Sequence, residues 1–295
     1  MKLDQKITEA SNIKSKDLDK KSILDILNIF NAEDEIVVKA VKDSINGINK
    51  IITLAISSLK NNGRLFYVGA GTSGRLGVLD ASECVPTFSV NSDLFQGVIA
   101  GGEQAMFKSI ENAEDDITEI RDIISNKSMT SNDTVIGISC SGDAPFVLEF
   151  LNQSDQLGAS TALITFNDIE DLTFVDTILR VFVGPEIISG STRMKSGTAT
   201  KIILNMISTT TMIKLNKTYG NFMVDLKIMN KKLLNRGIHI VQSLTELDRE
   251  QSEALLERAD RKIKNAIIMH KLDTTYEESE ELLKKNNGSL RAIIE

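Results

Sequence analysis

The sequence predicts an α/β fold: a parallel sheet with crossover helices, preceded and followed by helical segments. Three observations carry this. Short apolar runs rich in β-branched and aromatic residues recur between residues 64 and 183, helical patterns separate them, and strand-like runs disappear after about residue 219.

Taken in order, residues 18–59 place apolar side chains at helical spacing, and Asn31 ahead of the acidic "AEDE" reads as an N-cap. Strand-like runs follow at 64–70, 94–100, 133–139, 160–166 and 177–183. Their near-continuous apolar character suits strands covered on both faces by crossover helices. Between the second and third runs, Met106, Ile110, Ala113, Ile117, Ile120 and Ile124 form one stripe of a predicted helix. From residue 248 the chain reads as three short amphipathic helices broken near 272–274 and 287–288. The expected organisation is therefore a helical segment at 1–54, a sheet domain at 55–218 and a helical region at 219–295 that includes this small appendage.

Composition narrows the function. A chain of 295 residues can bury a full core as one large domain or as a domain with an appendage. Its apolar runs are too short to span a bilayer, and "MKLDQKITEASN" has no signal-like apolar segment, so a cytoplasmic protein with no membrane partner is expected. Two cysteines, Cys84 and Cys140, and two histidines, His239 and His270, show no zinc-binding spacing, so no metal is expected. A net charge of −7 argues against nucleic acid as a partner.

Ligands of open parallel sheets bind outside the carboxyl ends of the strands, so the residues just after each run matter most. Three such loops are rich in hydroxyls: "GTSGR" with Thr72 and Ser73, "SCSGDAP" with Ser139 and Ser141, and "GSTRMKSGT" with Ser191, Thr192 and Thr198. Glycines, hydroxyl donors and helix starts together suit a phosphate. Gly69, Gly71 and Gly74 also match G-x-G-x-x-G, with Asp93 near the spacing of a ribose-binding acid. A pyrophosphate needs one such turn, however, and leaves the other hydroxyl loops without a role. A P-loop is excluded because Arg75 and Leu76 follow Gly74 where Lys and Ser/Thr are required. The basic residues of 191–195 suit either a substrate contact or a helix cap.

Two carboxylates stand out. If a helix starts near Gly74, Glu83 shares the stripe of Leu76 and Leu79 and should face the interior, where apolar walls raise a carboxyl pKa and suit a general acid. A capping or paired structural role is the other reading. Glu114 and Asp116 border opposite edges of the 106–124 stripe, and periodicity does not choose between them.

The segments "GAGTSGRLGVLDASEC", "AGGEQAMFKSIENAEDD", "SCSGDAPFV" and "GPEIISGSTRMKSGTATKIILNMIST" resemble the N-acetylmuramic acid 6-phosphate etherase family, which is related to the glucokinase regulatory protein and built on the sugar isomerase (SIS) domain. The similarity extends over nearly the whole chain. One departure is Val85, where the family's "ECPPTF" has proline, a change expected to alter the turn after Glu83.

The resemblance implies a three-layer α/β/α SIS domain, a homodimer, no cofactor, and cleavage of the lactyl ether of N-acetylmuramate 6-phosphate to N-acetylglucosamine 6-phosphate and D-lactate during cell-wall recycling. It places the acid/base pair on Glu83 and Glu114. Thr72, Ser73, Ser139 and Ser141 become the phosphate-binding residues, with Ser191 and Thr192 as further substrate contacts. His239 is a candidate contribution across a dimer interface, although a lone histidine in a helix is more often structural. A non-catalytic sugar-phosphate-binding regulator is the alternative, since related proteins bind sugar phosphates without etherase chemistry.

Overall fold

The structure, a computed structural model, describes residues 6–295. Strands β1 (Leu65–Gly69), β2 (Phe95–Ile99), β3 (Thr134–Ile138), β4 (Ser160–Thr165) and β5 (Thr177–Arg180) form one parallel sheet in the order β2-β1-β3-β4-β5. Each lies within a run predicted from the sequence. Strands β1 and β3 are buried along their whole length, as expected where helices cover both faces.

The helices are α1 (Ile23–Asp43), α2 (Ile45–Lys60), α3 (Gly71–Phe88), α4 (Ile120–Asn126), α5 (Pro145–Gln156), α6 (Lys195–Lys214), α7 (Lys231–Thr245), α8 (Arg249–Arg258), α9 (Ile263–Leu272), α10 (Tyr276–Lys285) and α11 (Leu290–Ile294). Residues through Ser82 with Ser92–Ser208 form one compact unit, and Glu83–Asn91 with Thr209–Glu295 form another. In the first, Phe66, Val68 and Val135 of the sheet pack with Ile120 of α4 and Val147, Phe150 and Leu151 of α5. In the second, Ile238 and Val241 of α7 pack with Leu256 of α8 and Ile267 of α9. The buried Lys264 ammonium there donates to Asp225 Oδ2 at 2.7 Å, Asn216 O at 2.7 Å and Gly288 O at 2.8 Å, while burial pushes its pKa down.

Several sequence expectations need correction. Asn31 is not an N-cap: α1 runs through it, and Ser22 caps the helix by accepting from Asp25 N at 3.2 Å. The acidic run continues the helix because Glu33 within it is buried against Lys195.

The predicted 106–124 helix forms only in its last turns, as α4. Gly101 and Gly102 have positive φ, as does Asn112, and Ile110 and Ala113 fold back over Gly101. The amide of Phe146 takes the carbonyl of Glu114 at 2.9 Å, so a tertiary partner replaces the helical one.

The stripe of Leu76, Leu79 and Glu83 does not face the interior, for Leu79 and Glu83 are exposed. The inward face of α3 carries Ser73, Gly77, Ala81 and Cys84 instead. A Cβ at Gly77 would lie 2.8 Å from Tyr67 Cβ, so small residues are what let the helix approach the sheet. Nor is there a turn after Glu83: α3 continues past Val85 with Pro86 inside it.

Finally, the stretch read as three helices forms four, α8 to α11, because Asp260 and Arg261 both adopt left-handed backbone between α8 and α9. Neither residue is a glycine, so composition did not mark the break.

Candidate active site

The strand order makes the chain reverse its direction of growth between β1 and β3. At such a switch the loops after neighbouring strands diverge to opposite faces and leave a crevice at the carboxyl edge of the sheet. After β1, Ala70 leads directly into α3, whose first residue, Gly71, has φ +52°. The first amide groups of this helix lack intrahelical partners and carry the positive end of its dipole. Thr72 and Ser73 stand in that first turn.

After β3, the buried Ser139 hydroxyl accepts from Gly142 N at 3.1 Å and Ala144 N at 3.3 Å. It therefore shapes the turn that presents Ser141, whose Oγ lies 3.4 Å from that of Ser139. The loop after β5 is fixed from within. Buried Glu186 accepts from Lys195 N and Ser196 N, both at 2.9 Å, and from Ser196 Oγ at 2.7 Å, capping α6.

These loops enclose a cavity of about 280 Å³ lined by Thr72, Ser73, Ser139, Ser141, Thr192 and Glu114, together with Thr8, Glu9, Cys140, Gly190 and neighbouring backbone. An adjoining hollow of about 300 Å³ shares Ala70, Gly71 and Glu114 and adds Arg75, Ala105 and Ile110. Glu114 thus stands where two hollows meet. Asp116 does not compete for that place: it accepts from Thr118 N at 2.9 Å and Thr118 Oγ1 at 2.7 Å, bonds that hold its carboxyl below the usual range.

The lining of the 280 Å³ cavity includes no Lys or Arg among the described residues. An anion there would be held by hydroxyls, backbone N–H groups and helix dipoles. Cys140 adds no anion of its own. Burial pushes its thiol up to about 11, against opposing hydrogen bonds from Ser73, 3.6 Å away, and Thr192. Among the described residues no group of three or more His, Cys, Asp or Glu is arranged to hold a metal ion.

The structure leaves other expected residues outside this cavity. Ser191 is half-buried and does not line it. Lys195 offers no cation to a ligand, because its buried ammonium sits 2.6 Å from Glu33. Glu83 is exposed, belongs to the second compact unit and is not among the lining residues. His239 is exposed on α7 of that unit. Asp93 precedes β2 and so lies at the amino edge of the parallel sheet, the wrong end for the ribose-binding acid of a dinucleotide site. Sequence reasoning missed Thr8 and Glu9, since no strand or glycine motif precedes them.

Comparison with known proteins decides the family. A Staphylococcus epidermidis protein named N-acetylmuramic acid 6-phosphate etherase is 44% identical over 97% of this chain and 98% of its own length. A Clostridium acetobutylicum protein of the same name is 45% identical over 99% of this chain and 97% of its own. The chain belongs to the N-acetylmuramic acid 6-phosphate etherase family.

Within this etherase family assignment, residues 47–155 match the glucokinase regulatory protein N-terminal SIS domain, and residues 220–266 match the C-terminal lid domain of the same protein. The solved structure of c3406 from E. coli CFT073 aligns with a TM-score of 0.50 at 16% identity, covering 68% of this chain and 97% of that one, which supports the fold alone. Among the described residues no helix is long and apolar enough to cross a membrane.

Proposed function

We propose that this chain is a carbon–oxygen lyase that cleaves the D-lactyl ether of N-acetylmuramic acid 6-phosphate, giving N-acetylglucosamine 6-phosphate and D-lactate. The observation that carries the proposal is the position of Glu114 at the edge of a hydroxyl-lined cavity at the switch point of the sheet. Thr72, Ser73 and Ser141, with the N–H groups that start α3, bind the 6-phosphate. Ser139 supports them by holding the turn, and Thr192 lines the same cavity.

In the open-chain sugar the C2 hydrogen is α to the aldehyde and acidic enough for a carboxylate base. Glu114 removes it, and the C3–oxygen bond breaks by elimination as the lactyl oxygen takes a proton. Water then adds at C3. Glu83 is assigned as the acid that protonates the leaving lactyl oxygen, an assignment resting on its place in the family motif "ASEC". Each group contributes about 10²–10⁴-fold in rate by general acid–base catalysis.

The active form is a cytoplasmic homodimer in which the partner contributes to the site. Helix α1 exposes Ile23, Leu24, Leu27 and Val38, an apolar surface of the kind a second copy covers. The domain limits are proposed at residues 54/55 and 218/219, and the 219–295 region carries His239.

The test follows C2 deuterium exchange and lactate release in parallel. Glu114→Gln should abolish both, whereas Glu83→Gln should stop lactate release and leave exchange. Loss of exchange in the Glu83 variant alone reverses the two roles. Saturable binding of N-acetylmuramate 6-phosphate without any lactate from the wild type sinks the enzyme reading and leaves a sugar-phosphate sensor.

A further inference from the structure

We infer that Glu9 is a second carboxylate of this cavity, beside Glu114, which opens the sugar ring by moving the proton of the anomeric hydroxyl; the inference rests on the sugar-phosphate reading above. Glu9 lines the 280 Å³ cavity together with Glu114, Thr72 and Ser141. Its backbone is anchored on both sides. Thr8 O accepts from Gly190 N at 3.1 Å, and Thr8 Oγ1 accepts from Asn167 Nδ2 at 3.0 Å. Glu9 O accepts from Ser189 Oγ at 2.7 Å, and Lys6 pairs with Asp143. The segment is thereby tied to the loops that follow β3, β4 and β5.

The side chain, by contrast, has no partner among the described residues. The Glu9 carboxylate makes no hydrogen bond or ion pair with any described residue, although the residue is half-buried. The structural acids of the same unit behave differently: Glu33 engages Lys195, Lys14 and Asn12, and Glu186 engages the start of α6. A carboxylate that lines a cavity without protein donors is free to accept hydrogen bonds from the hydroxyls of a ligand. Gly190 keeps the approach clear. At φ +77° it favours glycine, and a Cβ there would lie 3.0 Å from Glu9 Oε2.

Charge separates the two ends of a bound sugar phosphate. The dianion is drawn to the hydroxyls and the start of α3 and repelled by Glu9, so Glu9 meets the hydroxyl end of the sugar. The proposed chemistry requires a group there, because C2–H is acidified only once the pyranose has opened to an aldehyde. Glu9 accepts the proton of the C1 hydroxyl as that O–H pair becomes the C1=O π bond. The C1–O5 bond breaks with its pair going to O5, and the proton returns from Glu9 to O5. The carboxylate ends unchanged, and Glu114 remains free for the C2 proton.

N-acetylglucosamine 6-phosphate, which lacks the lactyl group, exchanges its α and β anomers through the open chain and isolates this step. Magnetisation-transfer NMR should show that the wild type accelerates the exchange and that Glu9→Gln loses about a hundredfold of that acceleration. Calorimetric affinity for the same ligand should stay within about threefold, and Glu9→Asp should keep part of the acceleration. Wild-type exchange rates in both variants overturn the inference, as does a wild type that does not accelerate exchange. Loss of binding in both variants also overturns it, since Glu9 would then only position the ligand. Lactate release is scored separately: a wild type that exchanges anomers but releases no lactate sustains Glu9 and removes the etherase reading.

Discussion

The ammonium of Lys195 lies 2.6 Å from Glu33 Oε2, with both side chains almost wholly buried. Glu33 also receives Asn12 Nδ2 at 2.6 Å and Lys14 Nζ at 3.0 Å, and the backbone N–H of Lys195 is held by Glu186. A helix before the sheet, the N-terminal segment and the start of α6, which follows the loop carrying Thr192, are thus joined at one point.

Removing one member of this buried pair should expose the cost of the other. Burial alone would raise the Glu33 carboxyl, but hydrogen bonds from Lys195, Lys14 and Asn12 outweigh it and hold the pKa below the ordinary 4.5. A lowered folded pKa gives stability that is present above 4.5 and is lost as pH falls through the folded value. Lys195→Ala should therefore cost about 3–5 kcal/mol at pH 7. The gap should narrow in acid, where Glu33 becomes neutral in the variant. Urea midpoints at pH 7 and pH 3 check this, and an equal gap at both values speaks against it.

Phosphate recognition by neutral donors gives a second expectation. Thr72→Val and Ser141→Ala should each weaken N-acetylglucosamine 6-phosphate binding by about 1.5–3 kcal/mol, the range for hydrogen bonds to a charged group. Calorimetry with the unphosphorylated sugar is the control. Equal affinity of the wild type for the two sugars would remove these residues from phosphate binding.

Cys140 supplies a third expectation. With its thiol pushed up to about 11, almost none is thiolate at pH 8. Alkylation by iodoacetamide should run roughly a hundredfold slower than at an ordinary exposed cysteine of pKa about 8.5. Mass spectrometry of the peptide holding Cys140 reads this directly, and rapid labelling at neutral pH would mean that a thiolate is present in the cavity.

The strands were legible because their signal is local: an apolar run such as "LFYVG" is buried on both faces whichever helices cover it. The hydroxyl loops were legible for the same reason, since parallel strands put their carboxyl ends on one edge. The inward face of α3 was not. There the governing quantity is the distance to the sheet, and Gly77 over Tyr67 satisfies it with no apolar side chain to reveal the stripe. The 106–124 segment misled by its periodicity, because Gly101, Gly102, Asn112 and the Phe146 amide offer its backbone a better arrangement than a helix.

Sequence by itself determined the strand set, the hydroxyl loops after β1 and β3, and the family to which the motifs belong. These follow from residue types read along a few neighbouring positions. Tertiary structure decided which side chains meet. It placed Glu114 rather than Asp116 at the cavity, turned Lys195 inward to Glu33, and brought Glu9 of the N-terminal segment into one cavity with Thr72 and Ser141. No local pattern records such encounters, because they depend on contacts between residues distant in sequence, 159 positions apart in the case of Thr8 and Asn167.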